Sequence, residues 1–202
     1  MKNLLLKLTW EELILVYDWA CKNLNKSSKI LEIACGAGGV LYYLYAKGFV
    51  NLTGYDYDIN AVNSAKEISA TKGYNIHYYQ DDATSPHEME MYDFIYWVNG
   101  MYHVDGYNLE KYFNINCKFL NNNGIIAFDM VDKSFNKKLG NEYCSQDLNK
   151  PVSERRASEY KVRHNRKEVV NIAKLYGLQL VKYYPLLKDA IPRCVYVFRK
   201  VN

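Results

Sequence analysis

The sequence lacks the features of a membrane-spanning or disulfide-stabilised protein. None of its apolar runs approaches the roughly eighteen residues that a membrane-spanning helix requires. The five cysteines are odd in number and show no paired spacing of the kind that binds zinc. The net charge is only +4, and no basic stripe is interleaved with aromatic residues. We therefore expect a soluble, cytoplasmic protein with reduced thiols and no metal or membrane partner, and the charge pattern disfavours a nucleic-acid partner.

The length of 202 residues and the hydrophobic content of 49% suit one α/β domain with a substantial core. We therefore expect residues 1–202 to form a single domain. Thr9 and Glu12 have the spacing of a capping box, and apolar residues follow them at helical spacing. This pattern predicts a helix over residues 10–24, within an N-terminal cap that comprises residues 1–29.

One stretch, residues 30–39, organises the rest of the chain. A largely apolar run ends in small residues that include Gly36 and Gly38, and a second apolar segment begins at Val40. This order is typical of a buried strand, a tight turn and a helix. Small residues let a ligand approach the backbone, and the start of the helix offers free amide groups to it. Nucleotide-binding Rossmann folds share such a turn, so an NAD-dependent oxidoreductase is one alternative.

A carboxylate follows the second predicted strand, residues 50–55. Asp56 lies twenty positions beyond Gly36, the spacing at which a βαβ unit places a carboxylate across from the turn. There it can accept hydrogen bonds from both hydroxyl groups of a ribose. Asp58 is better interpreted as the N-cap of the next helix, although it competes with Asp56 for the ribose.

The sequence of residues 30–39, ILEIACGAGG, resembles the first motif of the class I S-adenosylmethionine-dependent methyltransferases, in which an acidic residue leads a glycine-rich turn. Asp56 resembles the second motif of this family. Family members usually have glycine at the position of Ala34. We therefore expect a negative φ at Ala34 and a close turn made by Gly36 and Gly38.

The resemblance implies a doubly wound α/β fold, with a seven-stranded sheet that is parallel except for its last strand. Two β-rich runs, residues 178–186 and 194–201, are separated by residues 187–193 and predict an antiparallel hairpin. Such a hairpin closes the resembled fold, and an N-terminal helix precedes its first strand.

The resemblance also implies S-adenosylmethionine as cofactor. In this family a residue after the second motif lies against the adenine, and an acidic residue followed by a small one meets the adenine amine. Asp81 is an alternative to Asp82 in the second role, and either carboxylate could instead cap a local turn. The leading helix lies over the pocket, although its aromatic residues could simply pack on the sheet. The implied cofactor contacts are Tyr17, Glu32, Ala34, Gly36, Gly38, Asp56, Tyr57, Asp82, Ala83, Val98 and Asn99.

Residues 98–103 follow the fourth predicted strand and should border both the methyl group and its acceptor. They lack the Asn/Asp-Pro-Pro-Tyr/Phe sequence by which nitrogen-modifying nucleic-acid methyltransferases hold a base, which argues against base methylation. His103 is the candidate catalytic base because a histidine pKa of about 6.5 suits proton removal near neutrality. The alternative is that His103 only buttresses the loop. Tyr102 is a candidate substrate contact.

Residues 133–165 show little regular apolar spacing, and a long irregular segment in a compact domain is usually functional or disordered. They contain Arg155, Arg156 and Arg163. The planar guanidinium group binds phosphate or carboxylate through two hydrogen bonds. We interpret the segment as a substrate-covering insertion and the three arginines as contacts to an anionic acceptor, with a solvated loop as the alternative.

The sequence therefore predicts an enzyme that transfers a methyl group from S-adenosylmethionine to a small molecule. One candidate class of acceptor is anionic, such as a phosphorylated or carboxylated metabolite or sugar. An RNA or protein methyltransferase is an alternative. The departure from the family pattern at Ala34 keeps a non-catalytic S-adenosylmethionine-binding protein open as well, and a homodimer is a possible assembly.

Overall fold

The computed structural model describes residues 11–87, 90–104, 107–137, 147, 149–155, 162–187 and 191–201. Trp10, the predicted first residue of the leading helix, lies outside these described residues, and so does Arg156 of the predicted arginine cluster. The described residues include every other residue for which the sequence predicts a role in the site.

The described strands form one sheet. They are β1 (Lys29–Ile33), β2 (Asn51–Asp56), β3 (His77–Gln80), β4 (Tyr92–Trp97), β5 (Leu120–Asp132), β6 (Arg163–His164), β7 (Leu178–Leu186) and β8 (Arg193–Lys200). Their order is β3-β2-β1-β4-β5-β8-β7, and the short β6 pairs with the end of β5. Among the described strands, β8 alone runs in the opposite direction, and it pairs antiparallel with both β5 and β7. The predicted doubly wound sheet with its terminal hairpin is therefore confirmed.

One described helix precedes the first strand, and the others lie between strands. The described helices are α1 (Glu11–Asn23), α2 (Gly39–Ala46), α3 (Ile59–Lys72), α4 (Leu109–Asn116) and α5 (Arg166–Leu175). Among the described residues, short 3-10 helices lie at Met101–His103, Lys133–Lys137 and Val152–Glu154. The side chain of Asn165 accepts a hydrogen bond from the Glu168 amide, and the Glu168 side chain accepts one from the Asn165 amide, which completes a capping box at the start of α5.

One boundary differs from the sequence prediction. Apolar residues at positions 109, 112, 113, 117 and 120 have helical spacing and predict a helix from about residue 106 to 120, followed by a strand from residue 125, but β5 already begins at Leu120. Leu120 pairs with Tyr92 of β4, and the register then shifts by a bulge before Phe94 pairs with Ile125. The backbone hydrogen bonds of this pairing therefore outweigh the helical periodicity at Leu120.

Successive side chains of each strand point to opposite faces of the sheet, and helices bury both faces. Helices α1, α2 and α3 cover one face, and α4 and α5 cover the other. The central strands contribute to the α1 face the buried residues Ile30, Phe94, Tyr96, Ala127 and Val195. They contribute to the opposite face Leu31, Ile95, Ile126, Phe128 and Tyr196.

The end of the predicted insertion returns to the sheet through β6. Val131 of β5 pairs with Arg163 on one side and with Arg193 of β8 on the other. Since β4 pairs with β5 only as far as Trp97 opposite Phe128, β6 occupies the position directly beyond the carboxyl end of β4. In doubly wound sheets ligands bind outside the carboxyl ends of the strands, so β6 borders that region.

No helix within the described ranges has both the length and the apolar character needed to cross a lipid bilayer.

Candidate active site

The turn after β1 has a left-handed backbone at three positions. The φ values are 55° at Ala34, 52° at Gly36 and 80° at Gly38. The expected negative φ at Ala34 is therefore wrong. The reason is non-local, because the Cys35 amide donates to the carbonyl of Tyr55 on β2 at 2.9 Å and holds the path of the chain after β1. A left-handed conformation at a residue with a Cβ costs about 1–2 kcal/mol.

The two glycines of the turn serve different purposes. A Cβ at Gly38 would meet the Cζ atom of Tyr78 at 2.8 Å, so this position needs glycine for space as well as for its positive φ. A Cβ at Gly36 would meet nothing within 4 Å. Gly36 therefore faces open space, where a ligand can approach the backbone.

Asp56 lies where the spacing predicts it, across from the turn. Its Oδ2 accepts a hydrogen bond from the Gly36 amide at 2.8 Å, and its Oδ1 accepts one from the Asp58 amide at 2.9 Å. Each carboxylate oxygen has a further lone pair, so the group can still accept hydrogen bonds from a ribose. Asp58 caps α3 by accepting from the Asn60 amide at 2.9 Å, which confirms its predicted structural role. The ribose contact itself stays a prediction.

Glu32 lies on β1 with its side chain in the α1 face of the sheet. It is 5% exposed, and its Oε2 has no hydrogen-bond partner among the described residues. Burial, together with the charge of Asp56, raises the pKa of Glu32 to about 8. The group is therefore mostly protonated at neutral pH and can donate a hydrogen bond.

Tyr17 projects from α1 into the same face. Its ring packs edge-on against Tyr43 with centroids 5.9 Å apart, and burial raises its pKa. This placement suits either a pocket lining or core packing, the two readings that the sequence leaves open.

The two candidate aspartates after β3, Asp81 and Asp82, have different surroundings. Asp81 is buried and accepts from the amide of Asp82 at 2.9 Å, and its carboxylate lies 2.8 Å from Nδ1 of His87. Asp82 is partly exposed beside Ala83, and its Oδ1 accepts from the Thr84 amide at 2.8 Å. The Asp81 carboxylate is engaged in holding the loop, which favours Asp82 for the adenine contact.

The remaining predicted adenine contact, Tyr57, is 74% exposed and so presents its ring to solvent beside Asp56. An exposed ring is available to stack on a base.

The segment after β4 is held by hydrogen bonds from three elements. Val98 is buried, and Asn99 has a left-handed backbone with φ of 60°. The Asn99 amide donates to Oδ1 of Asp129 at 2.8 Å. The side-chain oxygen of Asn99 lies 2.8 Å from the hydroxyl of Tyr102 and accepts from Nη1 of Arg193 at 3.1 Å.

Asp129, Arg193 and Glu12 form a buried charged cluster that sequence reasoning missed. Nη1 of Arg193 lies 3.4 Å from Oε1 of Glu12 and 3.7 Å from Oδ2 of Asp129. All three residues are at most 5% exposed. Burial raises the pKa of Asp129 to about 6, against the opposing effects of the Asn99 amide, Arg193 and Tyr102. The available signal was weak: Asp129 stands near a predicted strand end, but its two partners come from opposite ends of the chain.

The two candidates in the 3-10 helix Met101–His103 have different surroundings. The Tyr102 hydroxyl is 2.9 Å from Oδ2 of Asp129, and the residue is 1% exposed, so it supports the segment after β4 from within. His103 is exposed, and its ring lies against that of Tyr102 with centroids 4.7 Å apart. His103 is therefore the accessible member of the pair.

The structure describes two of the three predicted arginines. Nε of Arg155 donates to the Lys150 carbonyl at 2.7 Å. The guanidinium of Arg163 lies over the ring of Phe135 at 4.7 Å from its centroid, and burial lowers the pKa of Arg163. Arg163 belongs to β6 and so lies at the carboxyl edge of the sheet.

Within the described part of the chain, no group of three or more His, Cys, Asp or Glu residues is placed to hold a metal ion.

The comparisons with known proteins agree with this geometry. Residues 30–124, which run from β1 into β5, match the protein family described as "Methyltransferase domain". No curated protein matches the sequence.

Solved structures share the fold over nearly the whole chain. An S-adenosylmethionine-dependent methyltransferase from Clostridium acetobutylicum aligns with a TM-score of 0.71 and 16% identity, over 96% of this chain and 91% of that chain. The magnesium protoporphyrin IX methyltransferase of Synechocystis, solved with bound S-adenosylhomocysteine (SAH), aligns with a TM-score of 0.69 and 13% identity, over 93% and 81%. A putative sarcosine dimethylglycine methyltransferase from Galdieria sulphuraria aligns with a TM-score of 0.69 and 16% identity, over 94% and 84%.

The methyltransferase match of residues 30–124 and the Rossmann-like topology of the sheet are what the first motif predicts for a class I methyltransferase. The match agrees with the prediction from the first motif of a methyltransferase that uses S-adenosylmethionine.

Proposed function

We propose that this enzyme transfers the methyl group of S-adenosylmethionine to a small-molecule acceptor at the carboxyl ends of β4 and β5. The observation that carries the proposal is the position of β6. Because β6 pairs with Val131 directly beyond the end of β4, the returning end of the insertion borders the acceptor side of the site. A site bordered in this way suits a small molecule better than a folded RNA or protein.

The residues of the turn fit the cofactor. Gly36 leaves open space beside the backbone, Asp56 keeps lone pairs for a ribose, and Glu32 carries a buried oxygen without a partner among the described residues. We propose that these three residues, together with the other predicted contacts, hold S-adenosylmethionine. Asp82, Ala83 and the exposed ring of Tyr57 would serve the adenine in this assignment.

The conformation of Ala34 bears on the non-catalytic alternative. That alternative was suggested by alanine at a position that is usually glycine in the family. Since Ala34 adopts the left-handed backbone that glycine would adopt, the substitution leaves the path of the turn intact. The departure from the pattern therefore gives no support to a loss of activity.

The chemistry requires little from the side chains. The bound cofactor supplies a methyl group that its sulfonium already activates, so the protein contributes chiefly the position of the acceptor and the removal of a proton. We propose His103 as the proton acceptor because it is exposed at the carboxyl end of β4, whereas Tyr102 and Asp129 are buried. Val98 and Asn99 would line the path between cofactor and acceptor.

An anionic acceptor is favoured by one observation, the placement of Arg163 on β6. Its guanidinium is partly buried at the carboxyl edge of the sheet, where its planar fork could bind a phosphate or carboxylate through two hydrogen bonds. Arg155 donates its Nε proton to the Lys150 carbonyl and is a weaker candidate. We therefore assign the anion contact to Arg163 in the first place.

The test is a methyl-transfer screen that follows SAH release with S-adenosylmethionine and separate pools of small metabolites, RNA and protein. We expect turnover with a small-molecule pool. Within that pool, Arg163→Gln should raise the KM of an anionic acceptor by roughly tenfold to a hundredfold, and Arg155→Gln should raise it less. Turnover with RNA or protein alone would overturn the small-molecule proposal, and an unchanged KM in Arg163→Gln would refute the anion contact.

A further inference from the structure

The charged cluster of Glu12, Asp129 and Arg193 lies on the acceptor side of the site. Asp129 is near the end of β5, Arg193 begins β8, and Glu12 reaches them from the first turn of α1. The cluster also holds the segment that follows β4, because Asp129 accepts from the Asn99 amide at 2.8 Å. The charged cluster is therefore in direct contact with Asn99, which is a predicted cofactor contact.

The charges in this cluster do not balance. Among the described residues, two carboxylates face one guanidinium, with a net charge of −1 when both carboxylates are ionised. All three residues are at most 5% exposed, so solvent and salt screen this charge far less than they would at the surface. A buried net negative charge of this kind attracts a positively charged group that binds next to it and repels a negatively charged one.

The reaction itself changes the charge of the cofactor. S-adenosylmethionine carries a positive sulfonium, and methyl transfer converts it to the neutral thioether of SAH. We propose that the Glu12–Arg193–Asp129 cluster is a negative wall that favours binding of the positively charged cofactor over its neutral product. The wall thereby opposes product inhibition, and Asp129 is a specificity-determining residue for the cofactor.

The surroundings of Asp129 make the wall sensitive to pH. Among the described residues, the ionisable groups that interact with Asp129 are Glu12 from α1, Arg193 from β8, Tyr102 from the 3-10 helix and Tyr112 from α4. Arg163 flanks the neighbouring Val131 from β6. Because burial raises the pKa of Asp129 to about 6, its negative charge is present at neutral pH and is lost on mild acidification. The preference for the charged cofactor should weaken over the same range.

Calorimetric titrations of the full chain test this inference without any acceptor. S-adenosylmethionine, SAH and adenosine are titrated between about pH 5 and pH 7, which brackets the pKa of Asp129. We expect the ratio of the SAH Kd to the S-adenosylmethionine Kd to be about tenfold larger at the upper pH, which corresponds to about 1.4 kcal/mol. Adenosine lacks the sulfonium, and its Kd should change by less than about twofold over this range.

The matched variant is Asp129→Asn, which keeps the size of the side chain and removes its charge. In this variant the ratio of the SAH Kd to the S-adenosylmethionine Kd should stay constant with pH. It should equal the ratio that the wild type shows at the lower pH. If this variant does not fold, Glu12→Gln removes the other negative charge, and its ratio near neutrality should equal the acidic wild-type ratio. A constant ratio in the wild type, or a pH-dependent ratio in Asp129→Asn, would overturn the inference. Since no acceptor is present, either result leaves the proposed acceptor class untouched.

Discussion

Ala34 allows a sharp test of how the turn after β1 is held. Its φ of 55° places a Cβ in the left-handed region, which costs about 1–2 kcal/mol, and glycine would remove that cost. Glycine also gains entropy in the unfolded chain, which opposes the gain by about 0.4–1 kcal/mol. We therefore expect Ala34→Gly to raise the free energy of unfolding by roughly 0.5–1 kcal/mol.

For a chain of this length, that change corresponds to a rise in Tm of about 1–4 °C, measured by calorimetry without ligand. The matched control is Ala37→Gly in the same turn, because Ala37 has no positive φ. Glycine at Ala37 should lower stability by about 0.5–1 kcal/mol, since only the entropy loss remains. If Ala34→Gly lowers the Tm as the control does, the strain assigned to Ala34 is not present in solution.

Three further predictions concern the site. Asp56→Ala should weaken S-adenosylmethionine binding by about 2 kcal/mol in calorimetry. Asp58→Ala should instead lower the free energy of unfolding by about 1 kcal/mol through the lost helix cap, and the reverse pattern would assign the ribose contact to Asp58. Burial raises the pKa of Glu32 from 4.5 to about 8, so the protein loses stability as pH rises between those two values, and Glu32→Gln should raise the Tm more at alkaline than at acidic pH. His103→Ala should lower turnover about a hundredfold or more at neutral pH with an unchanged cofactor Kd, and an unaltered rate would exclude it as the base.

Local patterns in the sequence determined much of the architecture. The strand, turn and helix from Ile30 onward follow from apolar runs and small residues, and Asp58 caps α3 because a short carboxylate suits an N-cap wherever it occurs. The terminal hairpin likewise follows from two β-rich runs joined by a short connection. These features depend on neighbouring residues, so they can be predicted from the chain alone.

The tertiary structure decided what depends on residues far apart in the chain. The left-handed φ of Ala34 depends on the hydrogen bond from the Cys35 amide to the carbonyl of Tyr55, twenty residues away. This distant contact overrides the preference of alanine for a negative φ. Leu120 joins the sheet because Tyr92 is there to pair with it.

The charged cluster is the clearest case, because Glu12, Asp129 and Arg193 come from α1, β5 and β8, and no local pattern links them. A pairing between distant residues depends on the register of the whole sheet. That register is the sum of many weak contacts, and it exists only once the sheet has formed.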